Sequence, residues 1–330
     1  MNLEGPFPPS SGVPPVRIAV VIPCYRVVPA VLEVLGRIGP EVASIYCIDD
    51  ACPDGSGRLI EENCSDPRVK VIRHEINSGV GGATITGFKR ALADRADVVV
   101  KIDGDGQMDP ALLPRMVNPI VVGRADYCKG NRFFNVQSLQ SMPPMRLLGN
   151  AALSFITKFS TGYWNIFDPT NGYLAIHSRL LAELPLDKIH RRYFFESDML
   201  FRLNTIAAVV EDVPMPARYG NERSHLHIGR IIVPFLFNHS ANALTRIAYN
   251  HFLRNFSAAS VELTLGTFSL VFGLIFGAIR WWNSIATGRP VTAGTVMVAA
   301  LPVILGSQFL LSFLNYDVRN IPQIPLHKRL

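Results

Sequence analysis

Short β-branched apolar runs alternate with segments of helical periodicity through the first third of the chain. Runs at 17–22, 44–48, 69–73 and 97–102 read as strands. Helices are expected at 28–38, after the Asp54-Gly55-Ser56-Gly57 turn, and at 83–93. This β-α-β-α-β-α-β order predicts an α/β fold with a mostly parallel sheet covered by helices. Pro23 should stop the first strand, and Asp54 should cap the second helix. Further strands are expected at 126–130, 174–177 and 207–213, with helices at 146–159 and 193–204. The stretch 135–144 lacks strong periodicity and reads as a loop.

The pattern changes after residue 226. Residues 228–256 mix apolar positions with Arg230, His239, Arg246, His251 and Arg254, which suits helices lying at a membrane interface. Residues 263–279 carry no charge and sit between Glu262 and Arg280-Trp281-Trp282; residues 296–314 form a second uncharged stretch. Both suit the hydrocarbon layer of a bilayer, and tandem Trp beside Arg is an interface anchor. The short link between them predicts an antiparallel hairpin with both ends on one side. Arg230, Arg246, Arg254, Arg319, Lys328 and Arg329 outnumber Arg280 and Arg289 of the link, which places the large domain and both termini in the cytoplasm. Gly273-x-x-x-Gly277 reads as a helix contact surface, compatible with a homo-oligomer formed through these helices. The expected organisation is a disordered arm at 1–15, an α/β domain at 16–227, interfacial amphipathic helices at 228–257, transmembrane helices at 258–282 and 293–315, and a cytoplasmic tail at 316–330.

Composition agrees with membrane segments. The 330 residues are 48% hydrophobic and only 18% charged, with a mean hydropathy of +0.22. A net charge of +6 suits phosphorylated ligands or an anionic membrane surface, and no nucleic-acid motif appears. Cys24, Cys47, Cys52, Cys64 and Cys128 form no CxxC pair and read as reduced thiols. The Pro-, Gly- and Ser-rich start does not read as a signal peptide.

Candidate chemistry concentrates where the strand Val98-Val99-Val100 runs into Lys101-Ile102-Asp103-Gly104-Asp105-Gly106-Gln107-Met108-Asp109-Pro110. Ligands of open α/β sheets bind at such strand ends. Two carboxylates and an amide oxygen at i, i+2 and i+4 can converge on one hard divalent cation, Mg²⁺ or Mn²⁺. An EF-hand is excluded, because Met108 and Pro114 stand where its Gly and Glu belong. In Gly79-Val80-Gly81-Gly82, Thr84 replaces the last Gly of a dinucleotide fingerprint, and the run follows the third strand. Two readings stay open for it: a helix N-terminus beside a phosphate or base, or a tight strand-to-helix connection.

Val21-Ile22-Pro23-Cys24-Tyr25, Ile48-Asp49-Asp50, Asn77-x-Gly79-x-Gly81 and Asp103-x-Asp105-x-Gln107-x-Asp109-Pro110, in this order, resemble family 2 glycosyltransferases of the GT-A fold, in particular those acting on polyprenyl phosphates. The resemblance covers residues 17–226 and implies a GT-A domain at 16–227. It implies inverting, metal-dependent transfer of one sugar from a nucleotide diphosphate sugar to undecaprenyl or dolichyl phosphate. By it, Pro23, Tyr25, Ile48 and Asp50 would hold base and ribose, Asp103 and Gly104 would line the nucleotide pocket, and Asp105 and Gln107 would hold the cation. Gly130-Asn131-Arg132 resembles a Gly-Ser-Arg run whose Arg meets phosphate, and Arg146 matches a second such Arg. Asp103, Asp105 and Arg132 would then be the catalytic set. Arg218 and Ser224, in a loose match to Arg-x-x-Gly-x-Ser-Lys, would join the acceptor phosphate site. Glu196 and Asp198 resemble an acidic pair on the acceptor side. Arg26-Val27 replaces the family's Asn-Glu, so a carboxylate that helps read the donor is missing. The alternatives are a processive polysaccharide synthase, which expects Gln-x-x-Arg-Trp where Gly277 and Arg280-Trp281 stand; a sugar nucleotidyltransferase, which expects a Gly-rich first loop; and a non-catalytic membrane scaffold.

Overall fold

The computed structural model describes residues 16–134, 144–216 and 228–330, with backbone alone at 144–148 and 228–231. The expected arm at 1–15 and nearly all of the loop expected at 135–144 lie outside the described residues. Two compact units are present: Met1–Ala243 with Pro322–Leu330, and Leu244–Ile321.

Among the described residues the first unit has seven strands: β1 (Ile18–Cys24), β2 (Val42–Asp49), β3 (Val69–Arg73), β4 (Val98–Lys101), β5 (Tyr127–Asn131), β6 (Leu174–His177) and β7 (Val210–Pro214). They form one sheet in the order β3-β2-β1-β4-β6-β5-β7. Strand β6 runs antiparallel to β4 and β5, and the other pairings are parallel. The chain moves outward from β1 to β3 and then returns to the other side of β1 with β4. That reversal makes a switch point whose C-terminal edge opens between β1 and β4. Helices α1 (Val31–Gly36), α2 (Ser56–Asn63), α3 (Gly79–Ala93), α4 (Leu113–Val121), α5 (Pro144–Thr161), α6 (Ser178–Glu183) and α7 (Phe195–Thr205) connect the strands. One core joins Val20, Ile22, Ile45, Val98 and Val100 of the sheet to Val31 and Leu35 of α1 and to Met116, Val117 and Ile120 of α4. Each such side chain contributes roughly 1.5–3 kcal/mol on full burial.

Three local expectations change. Pro23 lies inside β1, opposite Ile48. The β4 ladder ends at Val21–Lys101, so the side of β1 facing β4 needs no N–H at position 23. Helix α2 begins after Gly55, not under an Asp54 cap; Asp49 Oδ2 instead accepts from the Gly57 N–H at 3.0 Å. The run Gly79–Gly82 is the first turn of α3. A Cβ at Gly81 would lie 2.5 Å from the His190 carbonyl oxygen, and one at Gly79 would lie 2.6 Å from that of Arg191. Glycine therefore lets the helix meet the loop before α7, and Gly82 N–H donates to the Arg191 carbonyl at 3.0 Å.

The chain's last residues rejoin this unit. Asp126, fully buried, accepts from the backbone N–H groups of Val209, Leu326 and His327, each at 2.8 Å, and contacts His327 Nδ1 at 2.7 Å. The His327 ring stacks on His177, with centroids 4.4 Å apart. His177 Nδ1 accepts the Arg179 N–H at the start of α6.

Helix α8 (Ile228–Ile247) carries the boundary between the units, and a π-helical turn follows at Ala248–Arg254. Ile232, Val233, Leu236 and Phe237 of α8 are exposed. His239, expected at an interface, is buried and contacts Ser160 Oγ at 2.7 Å. Within the second unit, Arg246 and His251 are also buried rather than turned outward. Arg246 grips Asp317 with two nitrogens at 2.6 and 3.0 Å, and His251 Nε2 lies 3.1 Å from the same carboxylate. A carboxylate near the end of an apolar helix requires such partners.

Helices α9 (Ala258–Thr287) and α10 (Ala293–Arg319) are long and apolar enough to cross a membrane. They pack closely at glycines. A Cβ at Gly273 would lie 2.7 Å from the Ala299 carbonyl oxygen, and one at Gly306 would lie 2.7 Å from Leu270 N and 2.8 Å from the Gly266 carbonyl oxygen. Gly266 and Gly273, one side of α9, thus make the contact; Gly277 has ordinary spacing, 3.4 Å from Ala299 Cβ.

Gly306→Leu places a side chain on backbone atoms and is predicted to destabilise the helix pair by about 1–3 kcal/mol. A thermal melt of the detergent-solubilised chain checks this, and an unchanged melt contradicts it. A second prediction concerns acid. Burial lowers His177 to about 4, and the charges of His327 and Arg179 push in the same direction. Between pH 6.5 and 4 the unfolded chain binds a proton there that the fold refuses, so stability falls as pH falls. His177→Asn should lose less stability than the parent between pH 7 and 4.5 in denaturant titrations; equal losses would show that the ring is not acid-sensitive.

Candidate active site

The C-terminal ends of β1, β2, β4 and β5 bring the expected site residues to one edge of the sheet. Asp103 and Asp105 follow β4, the Tyr25 loop follows β1, and Arg132 follows β5. Met108 Sδ accepts the Asp103 N–H at 3.4 Å, and Asp105 Oδ1 accepts the Gln107 N–H at 3.0 Å, so the loop is held as a tight turn. Gly106, at φ +80°, supplies the left-handed residue of that turn. Asp103, Asp105 and Gln107 are all partly exposed. Asp109, the last acid of the motif, does other work. It caps the turn Pro110–Leu112 through the Ala111 N–H and pairs with Arg37 at 2.5 Å.

The donor set can be weighed against a cation. It offers two carboxylates and one amide oxygen, all hard, and among the described residues no group of three or more His, Cys, Asp and Glu is placed to hold a metal. Such a set fits Mg²⁺ or Mn²⁺ shared with phosphate oxygens and does not fit a closed all-protein site.

The residues expected to hold a nucleotide separate. Tyr25 is 43% exposed, with the Arg26 guanidinium carbon 5.6 Å from its ring centroid. Arg26 and Ala51 both have positive φ, and Arg26 N–H donates to Cys52 Sγ at 3.1 Å, which ties the β1 and β2 loops together. Burial raises the Cys52 thiol pKa, but hydrogen bonds with Ser56 and from Arg26 outweigh it and bring the value below the usual thiol range. Pro23 is buried and Ile48 is 0% exposed, so their side chains fill the sheet's interior and offer a ligand no surface. Asp50 is 2% exposed. Its Oδ1 accepts the Ser78 N–H and its Oδ2 the Gly79 N–H, both at 2.8 Å, while His74 Nδ1 sits 2.7 Å from Oδ1. Asp50 therefore occupies the start of α3 itself, and the glycine run reads as a packed connection, not a phosphate cradle. Gly104 is buried, with a notional Cβ 3.2 Å from Ile22 and Val27.

On the other flank, Arg132 is held by a carboxylate. Its Nε and Nη2 donate to Asp168 at 2.7 and 3.0 Å, and its backbone N–H adds a third bond at 3.2 Å. Glu196 and Asp198 do not act as a pair. Glu196 faces the sheet near Lys101, whereas Asp198 accepts from the His190 N–H, Arg202 Nε and Asn242 Nδ2 and so braces α7. Arg146 lies on α5, but its side chain is outside the described ones; Arg218 and Ser224 lie outside the described residues.

Sequence reasoning passed over two buried lysines. Lys101 and Lys129 are 0% exposed and stand opposite the same residue, Leu174, from β4 and β5. Lys101 Nζ lies 2.7 Å from Asp103 Oδ1 and 3.5 Å from Glu196 Oε1 and donates to the Gly172 carbonyl at 3.3 Å. Burial works against its charge, but Asp103 and Glu196 outweigh burial and raise its pKa above the ordinary lysine value. Lys129 donates to the Asn171 carbonyl; burial lowers it to about 8 against the pull of Glu196 and Asp168. For Lys101 the signal was present: it is a charge closing the apolar run Val98-Val99-Val100.

A mixed, mostly parallel sheet with its acids at the switch point is the build of a GT-A-type glycosyltransferase. Residues 19–184 match the Glycosyl transferase family 2 domain, and the chain belongs to that family. It is 32% identical to an undecaprenyl-phosphate mannosyltransferase of Micrococcus luteus over 60% of this chain and 82% of that one. It is 30% identical to a UDP-N-acetylglucosamine–dolichyl-phosphate N-acetylglucosaminyltransferase of Methanococcus voltae, over 61% and 86%. Among solved structures, glucosyl-3-phosphoglycerate synthase of Mycobacterium tuberculosis, in complex with Mn²⁺, UDP and glucosyl-3-phosphoglycerate, superposes with a TM-score of 0.52 over 70% of this chain and 80% of that one. At 18% identity that likeness is one of fold.

Asp50→Ala is predicted to destabilise the first unit, because each donor left without its acceptor costs about 1–3 kcal/mol. Chemical denaturation measures it; a variant as stable as the parent would show that the carboxylate does not secure α3.

Proposed function

We propose that this chain transfers one sugar from a nucleotide diphosphate sugar to a polyprenyl phosphate at the cytoplasmic face of a membrane. The observation that carries the reading is the placement of Asp103 and Asp105 after β4, beside the β1 loop, at the edge where the sheet's order reverses. The relatives' names, which share a polyprenyl phosphate but differ in sugar, support the acceptor class and leave the sugar open.

On this reading Tyr25 and Asp103 face the nucleotide, and Asp105 and Gln107 would hold a divalent cation. A bound cation supplies Lewis-acid stabilisation of the charge that grows on the leaving phosphate. The acceptor phosphate is already an anion and needs orientation more than a general base. Arg132, its guanidinium plane set by Asp168, and Arg146 suit that task, since an arginine fork matches phosphate oxygens. Arg218 and Ser224 are assigned to the same acceptor phosphate by sequence alone. Glu196 acts here through Lys101, not as half of an acceptor-side acidic pair. Attack from the face opposite the leaving group inverts the anomeric centre.

The division of labour follows. Residues 16–227 form the catalytic domain, 228–257 lie at the interface, and 258–282 and 293–315 are read as the membrane-crossing parts. Exposed Ile232, Val233, Leu236 and Phe237 give α8 an apolar surface for the bilayer.

Membranes containing the chain, incubated with radiolabelled UDP- and GDP-sugars and Mg²⁺, should yield label in the lipid extract. Asp105→Ala should reduce that transfer by at least about 100-fold, in the range set by losing one electrostatic stabiliser of a transition state. Transfer undiminished in the variant, or by the parent in excess chelator, would remove the cation from the proposal; absence of labelled lipid with every donor would remove the proposal.

A further inference from the structure

We propose that Lys101 is a positioning residue that sets the donor-side carboxylate Asp103 and the loop 168–172 in one arrangement. The inference rests on the reading of Asp103 as part of the donor site and goes beyond it, because Lys101 itself is sealed from any ligand. Its ammonium is fully buried and touches three things at once: Asp103 Oδ1 at 2.7 Å, the Gly172 carbonyl oxygen at 3.3 Å and Glu196 Oε1 at 3.5 Å. The first belongs to the loop after β4, the second to the loop entering β6, and the third to the first turn of α7.

The loop it holds matters for the opposite flank. Asp168, four residues before Gly172, carries the bidentate contact to Arg132, and Asn171 Nδ2 donates to the same Asp168 at 3.4 Å. Lys129 reaches the neighbouring carbonyl, that of Asn171, from the far side of Leu174. The two lysines thus divide the loop between them, but the Asp103 contact belongs to Lys101. Gly172 reports how closely the parts fit. A Cβ there would lie 2.5 Å from Asp103 Oδ2, 2.6 Å from Lys101 Nζ and 3.0 Å from Met108 Cε. Its φ is not in the left-handed region, so the missing side chain answers to this contact and not to backbone strain. A charge buried this deeply persists only with partners on several sides, and partners fixed by a buried charge have one geometry.

Two substitutions separate positioning from general stability. Lys101→Met keeps the apolar stem and removes the ammonium; Gly172→Ala keeps every charge and pushes on Asp103 and Lys101. Lys129→Met, a buried lysine of the same loop without the Asp103 contact, is the comparison. The full-length chain in detergent is titrated calorimetrically with UDP and with GDP, each with Mg²⁺, and folding is followed by circular dichroism. For whichever nucleotide the parent binds, Lys101→Met and Gly172→Ala should weaken binding by about 10- to 100-fold, the usual effect of losing an outer partner of a site ligand. Lys129→Met should leave nucleotide affinity unchanged. A purely structural role would move both lysine variants alike, and that result overturns the inference, as does parental affinity in Gly172→Ala. Should Lys101→Met fail to fold, Gly172→Ala decides alone. A parent that binds neither nucleotide would instead overturn the donor-site reading, and the inference with it.

Discussion

A lysine at the bottom of the sheet's C-terminal edge needs a counter-charge, and the site is built around meeting that need. Removing an ammonium from water costs several kcal/mol after relaxation. Asp103, Glu196 and the Gly172 carbonyl supply the return, and each arrives from a different part of the chain. Through them one ammonium links the end of β4, the loop entering β6 and the first turn of α7. Glu196, two residues before Asp198 on one helix, points elsewhere than that acid, and the two serve different partners.

The opposite logic governs the start of α3. Helix N-termini offer unpaired N–H groups that attract phosphates. Here the chain supplies its own anion. Asp50 takes the N–H groups of Ser78 and Gly79, and the Arg191 carbonyl takes that of Gly82. Gly79 and Gly81 serve contact with the loop before α7, where a side chain would strike backbone. On the proposed function, phosphate contact then falls to the acids after β4 and the arginines beyond β5.

Charge pairing also organises the C-terminal third. Arg246, His251 and Asp317 gather within the second unit, close to where the apolar helix α10 ends. The two long helices meet through Gly266, Gly273 and Gly306, a contact driven by close backbone approach, as suits segments whose surroundings reward packing more than water exclusion. The last residues then return to Asp126, whose buried carboxylate gathers three backbone N–H groups and a histidine.

Local pattern alone determined much of this protein. Alternation of β-branched runs with helical stretches located all seven strands within a few residues, because a buried strand and an amphipathic helix each impose a period on the chain that folds into them. Uncharged length announced α9 and α10. Long-range pairing decided the rest. That β6 runs antiparallel, that Pro23 sits harmlessly inside β1, and that Asp50 turns inward to a helix 28 residues on are consequences of which strands become neighbours. The partners of Arg132, Lys101 and Arg246 lie 36, 71 and 71 residues away at Asp168, Gly172 and Asp317. Periodicity carries no information about such distances, since a side chain's solvent and counter-ions are set only when the chain closes on itself.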